Sequence, residues 1–406
     1  MNILMLSHYA GTPQYGMEYR SYYMSREWVK AGHKVMIAGA SFSHLRKQQP
    51  AVEWENIEGI EYIWLKTRAY EGNGLARVLT MVQFVLECYR NKRLFIDFKP
   101  DVVIASSVYT FDIYPAHYIA KKCGAKLIYE VHDLWPLSPM VIGGYSKYHP
   151  FIWLLQRGEN YAYKHVDLVV SMLDKAFPHM QRHGLDEKRF VCIPNGYLAE
   201  EWCNTDTQQL PQQHLKLLQS LQAEGKTIVG FAGGLTPSTA MQVFVEAADK
   251  LRDKPNLAFI AIGQGSQKDE LIQMANDKKL TNIHFLPPIP KTLIPKAISY
   301  FDICYMGGVH SILHKYGTSF NKMTDYMLSQ KPIIMSVDEP NSVVQRCGCG
   351  IQVEAENAEQ VAKAILTITG LSKAECAEMG RKGYDYAVEH LEYATLSKKF
   401  IQSMYH

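Results

Sequence analysis

What most constrains this chain is a rhythm that runs through it twice: short apolar runs rich in Val, Ile and Leu alternate with longer amphipathic stretches. The first series is 2–7 (NILMLS), 34–40 (KVMIAGA), 60–65 (IEYIWL), 101–106 (DVVIAS), 125–131 (AKLIYEV), 167–171 (DLVVS) and 190–194 (FVCIP). The second is 227–232 (TIVGFA), 256–262 (NLAFIAI), 282–286 (NIHFL), 302–305 (DICY), 331–335 (KPIIM) and 350–353 (GIQV). Strands that read as continuous apolar runs are buried on both faces, and strand–helix alternation is how a parallel sheet covers both of its faces. The expected fold class is therefore α/β, two doubly wound Rossmann-like domains in tandem. Helical spacing is expected over 17–31, stopped by Gly32, and over 238–251 and 267–279. The polar, Gln-rich stretch 198–226 reads as the linker, and 373–405 reads as a helical tail with a break near Gly383. Ligands in such sheets bind at the carboxyl ends of the strands, where strand order reverses, so two domains facing a cleft suit a two-substrate enzyme.

A chain of 406 residues fits two domains of about 200 residues each. Hydrophobic residues make up 47% and charged residues 20%, which supplies large cores and excludes a disordered or collagenous chain. The net charge of +3 gives no electrostatic case for nucleic acid as a partner. Its eight cysteines are scattered with no CxxC pair, so neither a zinc cluster nor a dithiol redox site is expected. The opening MNILMLSHYAG lacks the basic segment of a signal peptide, and the longest stretch free of Asp, Glu, Lys and Arg, 227–245, is interrupted by Gly233, Gly234 and Pro237. A cytoplasmic protein is the expectation.

Five loops carry the candidate chemistry. The loop 7–16 (SHYAGTPQYG) follows the first strand, with Gly11 and Gly16 allowing close approach of a ligand, and Glu18 and Arg20 follow in the first helical turn. An ordinary long connection and a solvated ion pair suit the same residues. The second loop, 129–136 (YEVHDLWP), puts His132 and Asp133 at the end of a strand, where a histidine can hold a hydroxyl or stabilise developing charge. The third, 193–196 (IPNG), is a turn. The fourth pairs Gly233 and Gly234 with Gly263 and Gly265, each pair ahead of an expected helix whose free amides could cradle a diphosphate. In the fifth, 316–327 (YGTSFNKMTDYM), Ser319 is the expected N-cap, Lys322 lies in the first turn and Asp325 follows three residues on. A lysine at a helix amino terminus opposes the macrodipole unless an anion compensates it. GxGxxG, DxD, GxSxG and GxxxxGK[ST] are all missing, so neither a nicotinamide cofactor nor a metal is expected.

Taken together, the opening NILMLSHY, 28–35 (WVKAGHKV), 133–136 (DLWP), 193–196 (IPNG), 263–265 (GQG) and 319–327 (SFNKMTDYM) with Lys331-Pro332 resemble the GT-B glycosyltransferases of family 4. The resemblance covers essentially the whole chain. It is strongest to the bacterial branch that builds O-antigen and capsule from N-acetylated deoxysugars. It implies a retaining, metal-independent transferase with a UDP-sugar as co-substrate and a saccharide or lipid-linked saccharide acceptor. It further implies an acceptor domain over 1–198, a nucleotide-sugar domain over 199–385 and a helix over 386–406 that crosses back to the first domain.

By the family pattern His132 lines the sugar pocket, with Asp133 beside it, and Asp325 takes the place of the second Glu of a Glu-x7-Glu motif, on the ribose. Lys322 meets the diphosphate, with Ser319 and Asn321 at the same helix end; Gly263 and Gly265 border the nucleoside, and the base lies near Pro288 and Ile289. Two departures stand out. Gly317 falls where the first Glu belongs, and Gly234 and Thr236 stand near the places of the usual Arg and Lys, which favours a donor with fewer free hydroxyls than UDP-glucose. They also leave a GT-B-type epimerase, or a non-catalytic sugar-nucleotide-binding subunit, as alternatives. The stretch 74–98, apolar with Arg77, Arg90, Lys92 and Arg93, suits either a helix packed on the sheet or peripheral contact with the inner face of the cytoplasmic membrane.

Overall fold

The computed structural model describes residues 1–16, 19–72, 74–203 (203 without its side chain) and 209–405. The chain forms two compact units, Met1–Asn195 with Tyr316–Thr318 and Tyr393–His406, and Gly196–Lys315 with Ser319–Glu392.

The first unit is built on β1 (Asn2–Leu6), β2 (Lys34–Ala40), β3 (Trp54–Ile57), β4 (Ile60–Leu65), β5 (Val102–Ala105), β6 (Lys126–Val131), β7 (Leu168–Ser171) and β8 (Phe190–Cys192). They lie in the order β3-β4-β2-β1-β5-β6-β7-β8, parallel throughout except for the β3–β4 hairpin. Strand order reverses between β1 and β5, so the carboxyl ends of these two strands mark the ligand crevice of this sheet. The apolar runs became strands because both faces are covered: every residue of β5 and β7 is buried.

The strand missing from the expectations is β3. As an edge strand it alternates exposed and half-buried residues (WENI), so it lacks the apolar run that marks its neighbours. Its hairpin turns through Glu58 and Gly59, with φ of 50° and 85°, the paired positive values of a two-residue connection.

The second unit carries β9 (Thr227–Ala232), β10 (Leu257–Ile262), β11 (Ile283–Leu286), β12 (Ile303–Gly307), β13 (Ile333–Ser336) and β14 (Gly350–Val353). Its order is β11-β10-β9-β12-β13-β14, parallel throughout, with the reversal between β9 and β12. Both units are thus doubly wound, as expected.

Several local expectations are corrected. The supposed linker contains the helix Gln212–Ala223, which buries His214, Leu218 and Leu221; their spacing of four and three was masked by the glutamines around them. Helix 238–251 is instead a 3-10 turn, Pro237–Thr239, followed by Gln242–Lys250, because Ala240 turns at φ 45°. Stretch 74–98 divides at Asn91 into Leu75–Arg90 and Lys92–Asp97.

Helix Lys373–His390 runs straight through Gly383, whose missing side chain admits Cys349; a Cβ there would stand 3.0 Å from the Cys349 Cβ. The piece joining the first unit accordingly starts at Tyr393, not at 386. Its helix, Tyr393–Ser403, packs on Arg20–Lys30, with Trp28 donating from Nε1 to the Ser397 carbonyl at 3.4 Å and stacking edge-on to Phe400.

Candidate functional site

In the first unit the crevice is organised by a carboxylate that the sequence reading passed over. Glu130, on β6, is 1% exposed and takes the Arg20 Nε at 3.0 Å on one oxygen. Its other oxygen accepts from Ser106 Oγ at 2.6 Å and faces His132 Nε2 at 3.5 Å. Burial pushes this carboxyl up, but Arg20, His132 and Ser106 outweigh it and hold it well below the usual range. Ser106 spends its one proton on Glu130, so its oxygen receives the His132 Nε2–H at 3.0 Å, which fixes that tautomer from the network. The His132 side chain is 12% exposed, oriented by this chain of bonds at the carboxyl end of β6. Asp133 beside it is exposed. A charged residue inside the apolar run 125–131 was the available signal for Glu130.

The opening loop is less suited to ligand contact than expected. Arg20 is 5% exposed, and its remaining donors reach the carbonyls of Pro194 at 2.6 Å and Ile193 at 2.8 Å. It is a buried clamp holding the 193–196 turn to Glu130, with four of its five N–H donors spent on the protein, which suits it poorly to an acceptor contact. Gly11 and Gly16 are both buried, the latter closing a turn on the Thr12 carbonyl at φ 77°. Glu18 lies outside the described residues.

In the second unit, helix Asn321–Leu328 carries the candidate donor contacts. Its N-cap is Phe320, not Ser319, with no side-chain cap, which leaves the first-turn amides to other acceptors. The Ala232 amide donates to Tyr326 Oη at 3.0 Å, docking the helix on the end of β9. Lys322, one turn earlier on the same face, then lies over Gly233: its Cε and Nζ stand 3.2 Å from where a Cβ on that glycine would sit.

The Lys322 ammonium rests 4.5 Å from the centre of the Phe231 ring and has no hydrogen bond or ion pair among the described residues. Burial pushes it down to about 8. Asp325, half-buried and likewise without a hydrogen bond to its carboxylate among the described residues, is pushed up to about 7, also by burial. Two poorly solvated, unpaired ionisable groups three residues apart are what a ligand with an anion and hydroxyl donors would satisfy. Asn321 is exposed at the same helix end, Pro288 is exposed, and Ile289 packs partly on the core of this unit.

The glycine pairs serve the backbone itself. A Cβ on Gly263 would fall 1.9 Å from the Gly233 carbonyl oxygen, and one on Gly265 2.1 Å from that of Leu235. The two loops are zipped by Leu235 N to Gln264 O at 3.0 Å. The expected diphosphate cradle is also weakened at one helix, since Lys268–Asp277 carries Asp269 and Glu270 in its first turn, already balancing its positive end. Gly317, buried at φ 95°, leaves room for Asp174, whose Oδ1 lies 2.2 Å from where a Cβ would be.

One trio, Glu159, His179 and His183, gathers three metal-ligating atoms within 4.8 Å of one another. Glu159 there already accepts from Tyr163 Oη at 3.0 Å and Gln156 Nε2 at 2.6 Å, so the trio reads as a hydrogen-bonded core network.

Residues 15–196 match the family model of the glycosyl transferase 4-like domain, and 226–370 match that of glycosyl transferases group 1. The Escherichia coli K12 protein WcaI, described as a candidate colanic acid biosynthesis glycosyl transferase, is 23% identical over 403 residues, 93% of each chain. Among solved structures, Anabaena HepE in complex with UDP is similar with a TM-score of 0.71 at 14% identity, covering 100% of both chains. Sucrose-phosphate synthase from Thermosynechococcus elongatus is similar with a TM-score of 0.73 at 14% identity, covering 99% of this chain and 97% of that one. With a glycosyltransferase domain model matched on each of its two doubly wound units, this chain is a glycosyltransferase of the GT-B class.

Proposed function

We propose that the chain is a retaining, metal-independent family 4 transferase that moves a sugar from a UDP-sugar to a saccharide or lipid-linked saccharide in O-antigen or capsule assembly. The observation that carries the reading is Lys322: a partly buried ammonium with no anionic partner among the described residues, at the carboxyl end of β9 beside the strand-order reversal and in the first turn of an uncapped helix. HepE, solved with UDP and with UDP-glucose, supports the choice of nucleotide, and WcaI supports the polysaccharide setting. The favoured sugar is an N-acetylated deoxyhexosamine, since Gly317 brings no side chain to sugar hydroxyls. The donor is assigned to 199–385 and the acceptor to 1–198.

In this reading Lys322 and the first-turn amides take the β-phosphate as the C1–O bond breaks and negative charge collects on the leaving UDP. Asp325 accepts from the ribose hydroxyls, next to a base bordered by Gly263, Gly265, Pro288 and Ile289. His132, held by Ser106 and Glu130 through its Nε2–H, accepts from a sugar hydroxyl at Nδ1 while the ring becomes oxocarbenium-like. The acceptor hydroxyl attacks C1 from the face that UDP leaves, and its proton passes to a donor phosphate oxygen.

The test is turnover with a panel of UDP-sugars and saccharide acceptors, with the anomeric proton of the new linkage read by NMR. Retention of configuration is expected. An inverted product, conversion of the free UDP-sugar to its epimer, or UDP binding with no turnover would each replace this reading.

A further inference from the structure

At the carboxyl edge of the first sheet a second group of polar side chains lies outside the Glu130 network. Arg46, in the loop after β2, is 5% exposed, yet its Nε and Nη1 have no hydrogen-bond partner among the described residues. Its one bond, from Nη2, goes to the Ala40 carbonyl, and the guanidinium lies 4.7 Å from the centre of the Trp64 ring. Burial pushes Arg46 down to about 10, and only tyrosines, Tyr15, Tyr70 and Tyr62, oppose that. His8, after β1, is 0% exposed; its Nδ1 is 2.7 Å from Tyr109 Oη, and its Nε2 is buried without a partner among the described residues. Burial lowers His8 first, and then the neighbouring Arg46, Arg77 and His44.

Three cationic or potentially cationic side chains thus crowd His8, and no carboxylate is bonded to Arg46, His8 or His44 among the described residues. Glu55, near this corner, keeps its charge, but its oxygens take Tyr15 Oη and Trp64 Nε1, and it accepts nothing from Arg46. Asp112, beyond Tyr109, has a carboxyl pushed up to about 7 by its own burial, so it brings little neutralising charge. Buried donors left without an acceptor are costly unless an anion completes them. The rim is aromatic. His44 is exposed and bonded to Tyr70, and Arg77 lies over the Tyr9 ring at 5.5 Å, surfaces against which a sugar ring stacks.

We infer that Arg46 and His8 form an anion subsite of the first domain, and that the acceptor is a saccharide bearing a phosphate or carboxylate group that docks there, between Arg77 and His44. The meaning of the subsite rests on the transferase reading; its existence does not, and the experiment separates the two. With the donor site filled by saturating UDP, inorganic pyrophosphate and, in a separate arm, glucuronate are titrated by calorimetry. The wild-type chain is expected to show a saturable second event with one of them, pyrophosphate marking a phosphorylated acceptor and glucuronate an acidic sugar. N-acetylglucosamine, uncharged, serves as the control.

R46M and, should it fail to fold, H8Q are expected to lose that event at least tenfold while keeping UDP affinity. Absence of any second event in the wild-type chain, or its persistence in these variants, overturns the subsite. Failure of UDP itself to bind would instead count against the donor site, and the same titrations on the UDP-free chain would still judge the subsite through R46M.

Discussion

At the scale of single residues, Lys322 carries the proposed donor site. An ammonium pushed down to about 8 by burial is protonated below that pH and neutral above it. A diphosphate binds the protonated form, so UDP binding raises the lysine's pKa and its affinity is highest below pH 8. Above that value the affinity should fall by up to about tenfold per pH unit, until the pKa of the complex is reached. Calorimetry of UDP between pH about 7 and about 9.5 checks this, with K322A expected to be weaker throughout and to lose the slope. A wild-type affinity that stays flat across that range would mean that Lys322 does not meet the phosphate. Gly317 belongs to this scale as well: its positive φ and the nearby Asp174 carboxylate exclude a larger side chain, so the missing glutamate is built into the backbone.

Between elements, the Arg20–Glu130 pair ties helix Arg20–Lys30 to β6 and, through the carbonyls of Ile193 and Pro194, to the end of β8. Removing one partner strands a buried charge, so R20M should lose about 3–5 kcal/mol in chemical denaturation, and R20M/E130L should recover much of it. Equal losses for the single and double variants would contradict the pairing.

Helix Leu75–Arg90 has two apolar faces. Thr80, Met81, Phe84 and Cys88 are buried, while Leu75, Leu79, Val82 and Leu86 form an exposed stripe at helical spacing. One face packs inward; we propose that the other meets the membrane, aided by the exposed Arg90 and Arg93. Co-sedimentation with anionic vesicles is expected, weaker with neutral ones and reduced by about tenfold or more in L75E/L79E. Equal pelleting of that variant would leave the stripe without this role.

Legibility also followed the elements. Strands buried on both faces announce themselves as apolar runs, whereas β3, wet on its edge, does not. Glu130 was visible as a charge inside such a run; Arg46, a loop arginine with no periodic neighbours, left no signal, and its role emerged only from burial without partners. The glycines of the second sheet were visible, but their reason was not, since only the fold shows two loops approaching within a carbonyl's reach.

For the whole molecule, two doubly wound sheets, each with its own strand-order reversal, give the chain two ligand crevices in one polypeptide. The tail helix Tyr393–Ser403 returns to the first unit, so the last residues of the chain stabilise its beginning. Among the described residues no helix is long and apolar enough to cross a membrane. The central claim is that the second unit holds a nucleoside diphosphate between Lys322 and Asp325. Its most direct test is isothermal titration of UDP into the wild-type chain, K322A and D325A at pH about 7.5, where Lys322 and Asp325 are both mostly charged. Saturable one-to-one binding to the wild type, weakened about tenfold or more in each variant, is the predicted result, since each loses a charge-assisted contact worth about 1.5–3 kcal/mol. Equal UDP affinity in all three proteins would contradict it.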